Sequence, residues 1–180
     1  HVATNLIPRI NSFWWSNVNT LAYDSINSKI YLGGDSGLFA RFDPVADLIT
    51  PTPAQDMRSK IPFWLTYPIN ALEYEGGHIY ITGQWGFAMY DIATDIATSL
   101  NDKLGGIYGS ANSNNAVIGV GQDVFIGSDE GVFLKYNHTT GITQDLSPNI
   151  RTYFGAYAIR KFAYDSANGD LFIGGDQGRL

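Results

Sequence analysis

Short apolar runs that end in a glycine-bracketed turn return four times along the chain: Ile30-Tyr31-Leu32-Gly33-Gly34-Asp35-Ser36-Gly37, Ile79-Tyr80-Ile81-Thr82-Gly83-Gln84-Trp85-Gly86, Val124-Phe125-Ile126-Gly127-Ser128-Asp129-Glu130-Gly131 and Leu171-Phe172-Ile173-Gly174-Gly175-Asp176-Gln177-Gly178. Runs of this length, rich in β-branched and aromatic residues and stopped by turn formers, predict strands. The three residues that open each run are all apolar, so both faces of each strand are expected to be covered. The closing glycines fall at 37, 86, 131 and 178, a period of 45 to 49 residues. That is the spacing of an array of four-stranded propeller blades.

The flanking segments supply further strands. Leu21 to Asp24, Leu72 to Glu75 and Phe162 to Asp165 form a strand before the run, joined to it by a hairpin such as Asp24 to Lys29. Phe39 to Phe42, Phe87 to Asp91 and Phe133 to Asn137 form a strand after it. Asn70 to Gly86 aligns with Asn115 to Gly131 without a gap, Asn70-Ala71-Leu72 over Asn115-Ala116-Val117. The outermost strand is assigned to the segments before each new copy, with Leu146 to Ile150 matching Leu6 to Ile10. The expected fold is therefore all-β, a β-propeller of four-stranded antiparallel blades with about four blades represented. Residues 1–10 are the outer strand of a preceding blade, 11–60, 61–106 and 107–150 are blades, and 151–180 is an incomplete blade. This register predicts an excerpt of a larger ring, closed by further blades of the same chain or by a second copy. The ten residues Pro51 to Lys60 are expected to be an extended loop.

Composition narrows the chemistry. The chain has no cysteine, which removes disulfides, thiolate chemistry and cysteine-ligated metals. A net charge of −6, with 11 scattered Lys and Arg, argues against a nucleic-acid partner. No stretch is long enough to span a bilayer. His1, His78 and His138 stand at unrelated places, the last two near hairpin ends, so neither a metal site nor a Ser-His-Asp arrangement is expected. No cofactor is implied. Asn137-His138-Thr139 reads as a turn.

The phrases Val18-Asn19-Thr20-Leu21-Ala22-Tyr23-Asp24, Lys29 to Phe39 and Arg41-Phe42-Asp43-Pro44 resemble blades of two-component regulator propellers. The resemblance covers nearly the whole chain. It implies an extracytoplasmic sensor domain of the kind carried by bacterial hybrid histidine kinases. Tyr31, Tyr80, Phe125 and Phe172 stand where those repeats usually have tryptophan.

Calling the strands of a blade A to D from the axis outward, the B–C turns and the D–A connections emerge on one face of the disc. That face is expected to carry Asp35, Gln84, Asp129 and Asp176 from the turns, with Ser36, Glu130 and Gln177 beside them. Aromatic residues of the D–A connections join them: Phe13, Trp14, Trp15, Phe63, Trp64, Tyr153, Phe154 and a lone Tyr108. Aromatic planes beside carboxylates and amides suit a sugar or peptide ligand. The turn residues are also what a tight turn uses to satisfy its own backbone, and the recurring aromatics are also what packing between blades requires. Trp15 and Trp85 break the repeat, and are the best candidates for a binding anchor.

Three functions fit these observations: a non-catalytic ligand-binding or sensor module for a glycan or peptide, a propeller glycoside hydrolase or lyase, and a structural surface or assembly protein. The first leads, because no acid has an obvious catalytic partner. For the core, Leu21, Ile30, Leu32, Leu72, Ile79, Ile81, Val117, Val124, Ile126, Phe162, Leu171 and Ile173 are expected between blades. Tyr31, Tyr80, Phe125 and Phe172 are expected on the opposite side of their strands, against the adjacent blade.

Overall fold

The computed structural model describes residues 17–44, 55–61, 67–84, 86–107 and 113–178. The first antiparallel sheet contains β1 (Val18–Asp24), β2 (Lys29–Gly34), β3 (Phe39–Phe42) and β4 (Gln55–Asp56) in sequence order. The second contains β5 (Ile69–Glu75), β6 (His78–Gly83), β7 (Gly86–Asp91) and β8 (Ile96–Ser99). The third contains β9 (Asn114–Val120), β10 (Asp123–Ser128), β11 (Phe133–Asn137) and β12 (Ile142–Asp145). The fourth is the pair β13 (Ile159–Asp165) and β14 (Asp170–Gly175). Strands β1, β5, β9 and β13 lie side by side as the inner strands of successive blades.

Both faces of each middle blade are apolar because the B strand alternates between two neighbours. Ile79 and Ile81 join Tyr31 and Phe39 of the preceding blade in one buried cluster. Tyr80, on the other face, packs with Phe87, Val124 and Ile126 at the next junction. Phe125 packs toward Ile159, Phe162, Leu171 and Ile173 at the third. The aromatic pairs are ordered, with Tyr31 stacked on Phe39 at 6.0 Å, Tyr80 on Phe87 at 6.1 Å and Phe125 on Phe133 at 5.8 Å. Such pairs add about 0.5–1.5 kcal/mol beyond area burial.

Several expected core residues are less covered. Leu21 is 62% exposed and Phe172 is 46% exposed, while Ile30, Phe162, Leu171 and Ile173 are half-buried. The cause is positional. Leu21 occupies the site that Leu72 and Val117 turn toward a preceding blade, and Phe172 the site that Tyr31 and Tyr80 turn toward a following one. Among the described residues no blade covers either face.

The outer strands also differ from expectation. Residues Leu146 to Ile150 are not a strand: β12 lies earlier, pairing Leu134 to Asn137 with Asp145 to Ile142. Leu146 precedes helix α1 (Ser147–Phe154), which contains the rest of the segment. Pro148 explains the change, since it cannot donate to a ladder and its fixed φ suits a first helical turn. Gly155, at φ 66, stops the helix with its N–H on the Arg151 carbonyl. Inside the presumed loop Pro51 to Lys60, Gln55 and Asp56 pair with Arg41 and Ala40 as the outermost strand. The matching segment Leu6 to Ile10 lies outside the described residues.

Truncating Ile126, fully buried between two blades, should cost about 2–5 kcal/mol as Ile126→Ala, whereas Leu21→Ala should cost under about 1 kcal/mol. Urea denaturation of the 180-residue chain checks both. Equal losses would show that the two faces are not distinguished as described.

Candidate functional site: the rim of the axial channel

The inner strand of every blade contains the same irregularity. Val18 pairs with Gly34 and Thr20 with Gly33, leaving Asn19 as an extra residue. The ladder skips Asn70 between Ile69 and Ala71, Asn115 between Asn114 and Ala116, and Arg160 between Ile159 and Lys161. Each is a β-bulge, which re-aims a side chain that an unbroken pleat would send into a blade junction.

The bulges face the B–C turns. In each blade the first turn residue donates its N–H to the residue before the inner strand: Asp35 to Asn17 O at 3.0 Å, Gln84 to Pro68 O at 3.1 Å, Asp129 to Ser113 O at 3.1 Å and Asp176 to Ala158 O at 3.1 Å. The chains approach so closely that a side chain on Gly34 would stand 1.9 Å from the Asn17 oxygen, and one on Gly83 2.2 Å from the Pro68 oxygen. The turns then reverse through consecutive left-handed residues, Ser36 (φ 55) and Gly37 (φ 69), Glu130 (φ 60) and Gly131 (φ 68), Gln177 (φ 60) and Gly178 (φ 69). That conformation is why the glycine closing these turns recurs. The second blade departs: Thr82 pairs with Phe87 where Gly33 pairs with Phe39, so its turn is one residue shorter.

Side chains link the bulges into a polar rim. Asn19 Nδ2 donates to Asp35 Oδ1 at 2.9 Å and to the Ile69 carbonyl of the next blade at 3.3 Å, while Asn17 Nδ2 takes Asp35 Oδ2 at 2.9 Å. Asn70 Nδ2 donates to Ser113 Oγ at 2.8 Å and to the Asn114 carbonyl at 3.0 Å. Asn115 Nδ2 donates to Asp129 Oδ1 at 2.7 Å. In the fourth blade the bulge is Arg160, whose Nε and Nη2 hold Asp176 at 2.8 and 3.0 Å, with Nη1 at 3.6 Å from Asp129. Asp35 and Asp176 are held below the usual carboxylate range, the first mainly by the Asn19 amide and the second by the Arg160 guanidinium.

Below the rim, the inner strands enclose a cavity of about 200 Å³, with Thr20, Leu72, Glu73, Val117 and Lys161 in its wall. Glu73 is pushed up to about 7, chiefly by burial and further by Glu75, against a backbone N–H from Gly119. Among the described residues no group of three metal-ligating side chains occurs.

The structure thus places Asp35, Gln84, Asp129 and Asp176 on one rim, as expected from blade geometry. Trp14, Trp15, Trp64 and Trp85 lie outside the described residues, as do Phe13, Phe63 and Tyr108. Tyr153 is 79% exposed on α1 and does not pack between blades, whereas Phe154 is buried there. The histidines are a further correction: His78 and His138 meet across the second junction with ring centroids 6.3 Å apart. Sequence reasoning missed Asn19, Asn70, Asn115 and Arg160. Their signal was the polar residue two places before Leu21, Leu72, Val117 and Phe162.

Many solved structures share the fold. The extracellular domain of the hybrid two-component system BT4673 from B. thetaiotaomicron superposes with a TM-score of 0.66 at 20% identity, over 90% of this chain and 20% of that one. The protein YCF48, solved bound to D1 peptide, gives 0.66 at 10% identity, over 90% of this chain and 48% of that one. The computationally designed Ika4 protein gives 0.61 at 14% identity, over 92% and 89%. The fold is a β-propeller. The chain spans about a fifth of the BT4673 domain. No family model and no curated protein matches the sequence.

The raised Glu73 gives a signed pH dependence. A carboxyl whose folded value lies above its ordinary 4.5 favours folding at low pH, and that contribution is lost as pH rises from about 4.5 through about 7. Glu73→Gln should therefore be more stable than the wild type at pH 8 by roughly 1–3 kcal/mol, and nearly equal at pH 4. Urea midpoints at the two pH values test this, and a variant no more stable at pH 8 would refute it.

Proposed function

We propose that the chain is a non-catalytic binding module whose rim recognises an extended polar ligand, a peptide or a glycan, as part of an extracytoplasmic sensor. The observation that carries this reading is the repeated bulge, which turns amide and guanidinium groups to the channel mouth in register with the B–C turns. Amide and carboxylate oxygens spaced around a rim can accept from a backbone or a sugar, and Trp85 and Trp15, which stand next to Gln84 and two residues before Asn17 in the sequence, would supply stacking planes. YCF48, whose fold is shared, is bound to D1 peptide, and the BT4673 domain is the extracellular part of a hybrid two-component system.

Rim chemistry favours binding over hydrolysis. Glycoside cleavage needs a carboxylic acid kept protonated near neutrality beside a second, ionised one. Asp35 and Asp176 on the rim are instead stabilised as anions by their own neighbours, and the carboxyl held near neutrality, Glu73, lies in the channel wall below them. The uncovered faces at Leu21 and Phe172 fit a ring completed by further blades or by a second copy.

Peptide and glycan arrays probed with the protein, beside turnover assays on whatever is retained, test this reading. Retention without turnover is expected. Gln84→Ala, at an exposed rim position, should weaken retention about tenfold or more, and Trp85→Ala likewise, with thermal stability nearly unchanged. Turnover of a retained ligand, or retention indifferent to both substitutions, would overturn it.

A further inference from the structure

The axial channel holds two charged side chains that the rim does not use. Glu73, on the inner strand of the second blade, and Lys161, on that of the fourth, line the same cavity of about 200 Å³ below the rim. Both are departures from the repeat. The position of Glu73 carries Ala22, Ile118 and Ala163 in the other blades, and that of Lys161 carries Thr20, Ala71 and Ala116. Small or apolar residues line the channel at every other copy of these positions, so the fold itself does not require the two opposite charges.

The two groups do not satisfy each other. Lys161 is exposed, and its ammonium makes no ion pair or hydrogen bond among the described residues. Glu73 is half-buried, accepts one backbone N–H from Gly119, and feels the like charge of Glu75. An ionised carboxylate in that place lacks a cation, so an ammonium group arriving beside it would offset the cost of its burial. Near Lys161, the Thr20 hydroxyl accepts the Leu72 N–H at 3.1 Å and keeps its own proton to donate. Thr20 and Lys161 also line a neighbouring cavity of about 300 Å³ with Asn19 of the rim, which gives the channel an entrance.

Size limits the guest. At the roughly 30 Å³ that a water molecule occupies in the liquid, the 200 Å³ cavity has room for about six or seven non-hydrogen atoms. A guest with a single charge would meet one group and leave the other unpaired. A short molecule with an ammonium at one end and a carboxylate at the other meets both through charge-assisted hydrogen bonds.

We propose that the axial channel binds a short amino acid zwitterion, its ammonium on the Glu73 carboxylate and its carboxylate on the Lys161 ammonium beside the Thr20 hydroxyl. The site lies below the rim, and neither site depends on the other.

Titration of the protein with β-alanine and γ-aminobutyrate, followed by NMR at Val117 and Ile118 of the channel wall, tests the assignment. The pH is set at 8, above the value of about 7 to which burial pushes Glu73. Saturable shifts are expected at millimolar concentration, with propionate and propylammonium, each carrying one of the two charges, bound about tenfold more weakly. Glu73→Gln should weaken the zwitterions about fivefold to tenfold and leave propionate unchanged. Lys161→Gln should weaken them by about as much and leave propylammonium unchanged. Lys161 is exposed, so its variant retains the fold and decides the matter by itself if Glu73→Gln unfolds. Absence of saturable shifts at about 50 mM zwitterion, equal binding of either singly charged analogue, or unchanged affinity in either folded variant would each overturn the proposal.

Discussion

A blade of this protein is a single sheet with two apolar faces, and neither face is satisfied until a neighbouring blade covers it. The B strands make this dependence concrete. Ile79 and Ile81 look back at Tyr31 and Phe39, while Tyr80 on the same strand looks forward to Val124 and Ile126. Stability therefore belongs to junctions rather than to blades, as expected of arrays in which each unit contacts only its neighbours. The exposure of Leu21 and Phe172 is the same rule seen where one neighbour is lacking among the described residues.

Junction packing also creates the functional surfaces. Because the inner strands must lie side by side, the bulge that each contains points its extra residue at the channel mouth rather than into a junction. Pairing of the A and B strands within a blade brings the Asp35 and Asp129 turns within reach of the asparagines Asn19 and Asn115. The rim is consequently a regular structure with local exceptions: a shorter turn at Gln84 and a guanidinium at Arg160. A repeat supplies the scaffold, and departures from it supply chemistry.

Electrostatics separates these sites. On the rim, short hydrogen bonds from amides and a guanidinium keep Asp35 and Asp176 ionised. In the channel wall, burial keeps Glu73 close to neutrality. The distinction arises from the balance at each carboxylate, donors that dominate on the rim and burial that outweighs one backbone N–H in the channel wall.

The sequence by itself determined the array, its period, the identity of the A, B and C strands and the alternating faces of the B strands, because glycine turns and apolar alternation are local properties. It also placed Asp35, Gln84, Asp129 and Asp176 on one face, since strand direction alone decides that. Only the tertiary structure decided the rest. The outermost strands are Gln55–Asp56, Ile96–Ser99 and Ile142–Asp145, short edges with one hydrogen-bonded neighbour and little apolar patterning to announce them. Leu146 to Ile150 resembled a strand by composition, yet the segment enters a helix, because Pro148 and Gly155 outweigh its apolar residues. The role of Asn19, Asn70, Asn115 and Arg160 depends on a register shift of one residue, which becomes visible when two strands are paired. The meeting of His78 with His138 depends on how adjacent blades are rotated against each other, a long-range property that no short stretch of sequence encodes.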